Sequence, residues 1–164
     1  MIIFEGESKI DQKPIVMIAL ADSTNSKTGN LIQTYIMRSD IHPMDAINAG
    51  EDESICGSCT HRKAVGENGR TCYVFAPSFS GIWKKYKAGG YEYLNDRNIN
   101  KFKNRKLRLG SYGDPMAVPM EVWKPLMKLS SGWTSYTHQW DSLSSNNFWD
   151  KSSMASVENI DEKV

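Results

Sequence analysis

Long apolar runs are missing from this sequence: no stretch approaches the roughly 18 apolar residues that a membrane-spanning helix needs. Excess charge is missing too. Twenty basic residues stand against 19 acidic ones, a formal net charge of +1, which argues against general electrostatic attraction to nucleic acid or anionic lipid as a property of the whole chain. Cysteine is scarce, and the three present cannot all pair within one chain. The opening residues, Met1 to Glu7, lack the basic start, apolar stretch and small-residue cleavage site of a secretory signal. The expected compartment is therefore the cytoplasm, where thiols stay reduced, and metal ligation or thiolate chemistry explains the cysteines better than disulfides do. No phosphate loop, His-Glu-x-x-His or Ser-His-Asp arrangement supports kinase or hydrolase chemistry.

What is present fits one globular domain. At 164 residues, 40% hydrophobic and 24% charged, residues 1–164 suffice for a single core and are too few for two comfortable ones. Pro14 to Ala21 and Leu31 to Met37 are β-rich runs separated by a turn-forming stretch, which predicts a hairpin. A short helix capped by Ser39 or Asp40 has Pro43 in its first turn and stops at Gly50. Thr71 to Ala76 reads as a strand, Phe79 to Ala88 as an amphipathic helix and Glu92 to Lys103 as a polar helix. Lys106 to Tyr112 reads as a strand and Met120 to Ser130 as a helix despite Pro125. Trp133 to Gln139 is the next strand, followed by a Ser/Asn-rich loop at Asp141 to Asn147 and a short strand at Ser152 to Val157.

Strands alternating with helices from Arg108 onward predict an α/β fold with a largely parallel, partial-barrel-like sheet behind an N-terminal β-hairpin. The last residues, Glu158 to Val164, open an acid-led helix that reaches no C-cap. The expectation is a fragment truncated at its C-terminus.

The sharpest chemical signal is Cys56-Gly57-Ser58-Cys59, with twelve residues between Cys59 and Cys72. Two thiolates two residues apart grip one metal because the intervening turn, relaxed by Gly57, points both sulfurs to one side. The glycine-containing loop that follows can return Cys72 to the same ion. His61 is a candidate fourth ligand for zinc; three cysteines without a fourth ligand suit a [4Fe–4S] cluster with one open iron. A redox Cys-x-x-Cys pair and three unrelated thiols are the competing explanations.

The second signal is Arg108-Leu109-Gly110-Ser111-Tyr112-Gly113-Asp114-Pro115. Glycines at the carboxyl end of a strand admit a ligand to the backbone, and α/β sheets bind ligands there. Gly110, Ser111, Tyr112, Gly113 and Asp114 are thus candidate cofactor contacts, and a tight turn leading to the next helix explains the same residues equally well. In Tyr136-Thr137-His138-Gln139-Trp140, alternation puts Tyr136 and His138 on one face, with His138 a further candidate contact. Nine basic residues against two acids from Lys84 to Arg108 read either as a solvated face or as a phosphate or nucleic-acid contact.

Taken together, ICGSCTHR at Ile55 to Arg62, TCYV at Thr71 to Val74, RLGSYGDPMAVP at Arg108 to Pro119 and YTHQW at Tyr136 to Trp140 resemble a protein family of tailed bacteriophages. The resemblance implies host-cell cytoplasm as the location and a continuation past Val164 into a further cysteine-rich segment. More distantly, the chain resembles radical S-adenosylmethionine enzymes, partial parallel barrels in which three cysteines hold a [4Fe–4S] cluster and a Gly-rich strand end binds the cofactor. That resemblance implies Cys56, Cys59 and Cys72 as cluster ligands and Gly110 to Asp114 at the S-adenosylmethionine site. Two functions are expected on these grounds: a cluster-dependent enzyme acting on a small molecule, or a structural-zinc module contacting nucleic acid or a host protein. Neither involves a membrane.

Overall fold

The two β-rich runs pair antiparallel as the hairpin pattern requires: β2, Pro14–Leu20, lies against β3, Ile32–Arg38, in continuous register from Ile15↔Arg38 to Leu20↔Gln33. An additional strand, β1, Ile2–Glu7, runs antiparallel along the far side of β2. The computed structural model describes residues 1–21, 31–65, 69–142 and 148–157. The turn expected at Asp22 to Asn30, most of the Ser/Asn loop and the expected final helix lie outside the described residues.

Beyond the hairpin the sheet continues in chain order, β1-β2-β3-β4-β5-β6. Strands β4, Lys106–Tyr112, β5, Gly132–Thr137, and β6, Met154–Ala155, each run parallel to the strand before. Crossovers separate these strands, and parallel neighbours need them. The sheet is open: β1 and β6 are its two edges. The architecture is a mixed α/β sheet whose parallel part advances one strand at a time and does not close into a barrel.

The crossover from β3 to β4 carries α1, Pro43–Ala49, α2, Glu53–Cys56, and α3, Ala76–Lys87. Helix α4, Met120–Leu129, links β4 to β5, and α5, Phe148–Ser152, precedes β6. Trp123, Leu126 and Met127 of α4 are buried in one core with Leu107 and Leu109 of β4. Pro125 is accommodated inside this helix.

Several local expectations are corrected. The cap of α1 is His42, whose Nδ1 accepts from the amide of Met44 at 3.3 Å. Asp40 cannot take that role because Arg38 holds its carboxylate in a two-point ion pair at 2.9 and 2.8 Å. Thr71 to Phe75 form no strand: the guanidinium of Arg70 donates to the carbonyls of Cys72 and Val74, taking acceptors that a neighbouring strand would need, and α3 begins already at Ala76. The polar helix expected at Glu92 to Lys103 reduces to a 3-10 turn, Ile99–Phe102. Asn95 Oδ1 accepts from the amides of Arg97 and Asn98, and Asn98 Oδ1 accepts from that of Asn95, side-chain bonds that compete with helix formation.

Candidate metal and ligand site

The carboxyl end of β4 breaks its ladder with β3. Register passes from Gln33↔Arg108 to Tyr35↔Tyr112, leaving two extra residues on β4. The hydroxyl of Thr34 fills the gap, donating to Arg108 O at 2.8 Å and accepting from Gly110 N at 2.9 Å. Gly110 takes φ 68°, and a Cβ there would stand 2.3 Å from Gly113 O. Gly113 takes φ 82° pressed against Ile36, where a Cβ would meet Ile36 Cβ at 2.8 Å. Both glycines are therefore demanded by the chain's own close approach.

Asp114 fastens this bulged end to β5. Its carboxylate accepts from Thr137 Oγ1 at 2.9 Å, His138 N at 2.9 Å and Met116 N at 3.0 Å, the last capping the short turn Pro115–Ala117. Burial pushes its pKa above the ordinary carboxylate value, against the pull of these hydrogen bonds. With its oxygens engaged by the fold, Asp114 serves the site as part of the frame.

The cysteine turn is docked on the same rim. The amide of Asp114 donates to Ile55 O at 2.6 Å, and Gln139 Nε2 donates to Cys56 O at 3.1 Å. Gly57 lies under Gln139, with φ 55° and ψ −130°, and a Cβ on it would come within 2.3 Å of Gln139 Oε1. From the other side Arg62, 5% exposed, donates to Asp52 Oδ1 at 2.9 Å, Gly57 O at 2.8 Å and Gly50 O at 2.7 Å. The return loop is tied by His61, whose carbonyl accepts from both Thr71 N and Cys72 N at 3.2 Å. His61 Nδ1 lies 2.8 Å from Thr71 Oγ1, and its ring meets that of His138 edge-on at 5.6 Å.

These elements enclose a cavity of about 490 Å³. Cys56, Cys59, Cys72, Gly110, Ser111, Tyr112, Gly113, Asp114 and His138, singled out in the sequence as metal or cofactor contacts, line it together, whereas His61, the candidate fourth zinc ligand, lies outside its lining. Its remaining walls include Tyr73, Arg108, Thr134, Tyr136 and Ser156. Register places Arg108 beside Thr134 and Gln33 on one sheet face, and alternation adds Tyr136 to it.

None of the three cysteines is in a disulfide. Burial pushes the Cys56 thiol well above its ordinary pKa, and the neighbouring Asp52, Cys59, Cys72 and Asp114 push in the same direction. Low dielectric and the neighbouring acids both disfavour a Cys56 thiolate unless a cation compensates it. Two wall hydroxyls, Ser111 Oγ and Tyr112 Oη, are buried and have no hydrogen-bond partner among the described residues. The Tyr112 ring stacks on Phe79 with centroids 3.7 Å apart. Donor chemistry and orphaned hydroxyls thus suit a bound group, although no three His, Cys, Asp or Glu side chains among the described residues are gathered closely enough to hold one ion.

No family model, curated protein or solved structure matches the chain. Sequence reasoning singled out the thiols and missed what positions them. Gln139 and Arg62 are the two clamps on the turn, and both sit inside the quoted motifs. The basic stretch is used piecemeal: Arg108 faces the cavity, Arg105 donates to Ala21 O, and Lys85 and Lys87 lie over the rings of Tyr91 and Trp83.

Proposed function

We propose that this chain is a phage-encoded protein of the host cytoplasm in which Cys56, Cys59 and Cys72 hold an iron–sulfur cluster or another metal, beside a small-molecule site at the carboxyl ends of β4 and β5. The observation that carries the reading is one shared cavity: three cysteines, two from one turn and the third from the end of the return loop, line it together with the glycine-rich end of β4. A cluster bound by three cysteines leaves one iron for an exogenous ligand and supplies one-electron chemistry, the arrangement of radical S-adenosylmethionine enzymes. In that scheme Gly110 to Asp114 and His138 border the cofactor. Loading gathers the thiols, because metal binding and local folding are coupled when ligands are not already in place.

A second reading, a structural-zinc module contacting nucleic acid or a host protein, draws on the His61 carbonyl. By accepting from Thr71 N and Cys72 N it draws Cys72 back toward the Cys56–Cys59 turn, as one zinc ion shared by the three thiolates would require. Anaerobic purification with iron, sulfide and zinc analysis separates the two. Iron and sulfide together, with brown colour, support the enzyme; stoichiometric zinc supports the module; a metal-free protein that takes up neither on anaerobic reconstitution contradicts both.

A further inference from the structure

Away from the cysteine rim, the cavity has features that metal binding does not use. Arg108 projects from β4 into it, and its guanidinium donates to the hydroxyl of Tyr73. No carboxylate pairs with Arg108 among the described residues. The other guanidinium groups around the site are spent on the frame: Arg62 on Asp52 and two carbonyls, Arg70 on the carbonyls of Cys72 and Val74. Arg108 is different in having only a neutral phenol as partner among the described residues. Tyr73 is 80% exposed and Tyr136 51% exposed, and both line the same space. Thr134, register partner of Arg108, adds a hydroxyl-bearing side chain to the same wall.

A guanidinium in a cavity with no carboxylate partner is a fork for an anionic oxygen group, which it grips through two parallel N–H bonds. Open tyrosine faces take planar rings by stacking or edge contact. The volume, about 490 Å³, lies within the range of small-ligand sites. We propose that this part of the cavity binds a small molecule made of a planar ring and an anionic oxygen group, the anion on Arg108 and the ring against Tyr73 and Tyr136. The proposal deepens the small-molecule half of the reading above and does not depend on the metal. Nucleotides and aromatic carboxylates both have the required chemistry.

Titration calorimetry on the metal-free full chain tests it, with AMP against adenosine, GMP against guanosine, and benzoate against benzyl alcohol as probes. At least one anion should bind roughly tenfold or more tighter than its neutral partner, as a charge-assisted forked contact gives. Which pair shows the preference decides between phosphate and carboxylate. The preference should vanish in Arg108→Met and persist in part in Arg108→Lys, which keeps the charge and loses the fork. Tyr73→Ala should weaken anion and neutral partner alike, and a variant with all three cysteines changed to alanine should keep the preference. Equal affinities, no binding by any probe, or a preference that survives Arg108→Met would overturn the proposal. Iron uptake without anion preference leaves the cluster reading standing and this one refuted; anion preference without iron uptake does the reverse.

Discussion

Gln139 reaches across from the end of β5 and holds the cysteine turn by its backbone, donating through Nε2 to Cys56 O at 3.1 Å while Gly57 lies directly beneath the amide. The turn that presents Cys56 and Cys59 is therefore shaped by a residue some eighty positions later in the chain. Geometry of this kind fixes what substitution at Gly57 must do.

Gly57→Ala should fail on two counts. The backbone values at Gly57, φ 55° and ψ −130°, are costly for any residue with a side chain, and the new Cβ would overlap Gln139. A loss of about 1–3 kcal/mol in urea unfolding is expected, together with faster reaction of Cys56 and Cys59 with a thiol reagent. Gln139→Ala should speed the thiol reaction with a smaller stability loss, about 1 kcal/mol. Unchanged thiol reactivity in both variants would remove Gln139 from the role of clamp.

Arg62→Ala should be more damaging. Asp52 and Arg62 are 4% and 6% exposed at the side chain, so removing the guanidinium strands a buried carboxylate and also releases Gly50 O and Gly57 O. Breaking a buried pair in this way costs about 3–5 kcal/mol. Arg62→Lys should rescue little of it, because one ammonium cannot serve three acceptors set around a planar fork. Denaturant melts of the two variants check this, and a near-wild-type melt for the lysine variant would contradict it.

The carboxyl of Asp114 gives the stability curve a defined sign. Burial holds its folded pKa above the unfolded value, so the folded protein keeps the proton more readily than the unfolded chain does. The associated stability is present below the ordinary carboxylate pKa of about 4 and is lost as pH rises through the folded value. Asp114→Asn cannot ionise and lacks that decline. The stability of wild type minus variant should therefore fall as pH rises from about 4, measured by urea melts across a pH series. A difference that grows with pH would mean that the hydrogen bonds from Met116, His138 and Thr137 outweigh burial.

Much of this architecture could be read from the chain. β2, β3, β4 and α4 lie close to where apolar runs and glycine punctuation put them, because each carries a strong local pattern and is buried along it. Where the reading failed, a side chain had intervened in backbone bonding: Arg70 at Cys72 and Val74, Asn95 and Asn98 before the 3-10 turn, Arg38 on Asp40. β1 escaped notice because Ile2–Glu7 is short and half-exposed, and its partner β2 supplies most of its order. The candidate site was legible as a set of residue types. Its frame was not, since Gln139 on Cys56 and Asp114 on Thr137 are long-range contacts that no local pattern announces.

The claim on which the functional reading turns is that all three cysteines serve one bound group. The most direct measurement is iron, sulfide and zinc per chain after anaerobic reconstitution, in wild type and in Cys56→Ser, Cys59→Ser and Cys72→Ser, with unfolding curves run alongside. The account predicts a bound metal in wild type and near-complete loss in each single variant while the fold persists. Cys72→Ser retaining wild-type metal content would contradict it, leaving Cys56 and Cys59 as a pair and Cys72 as an unrelated thiol in the wall.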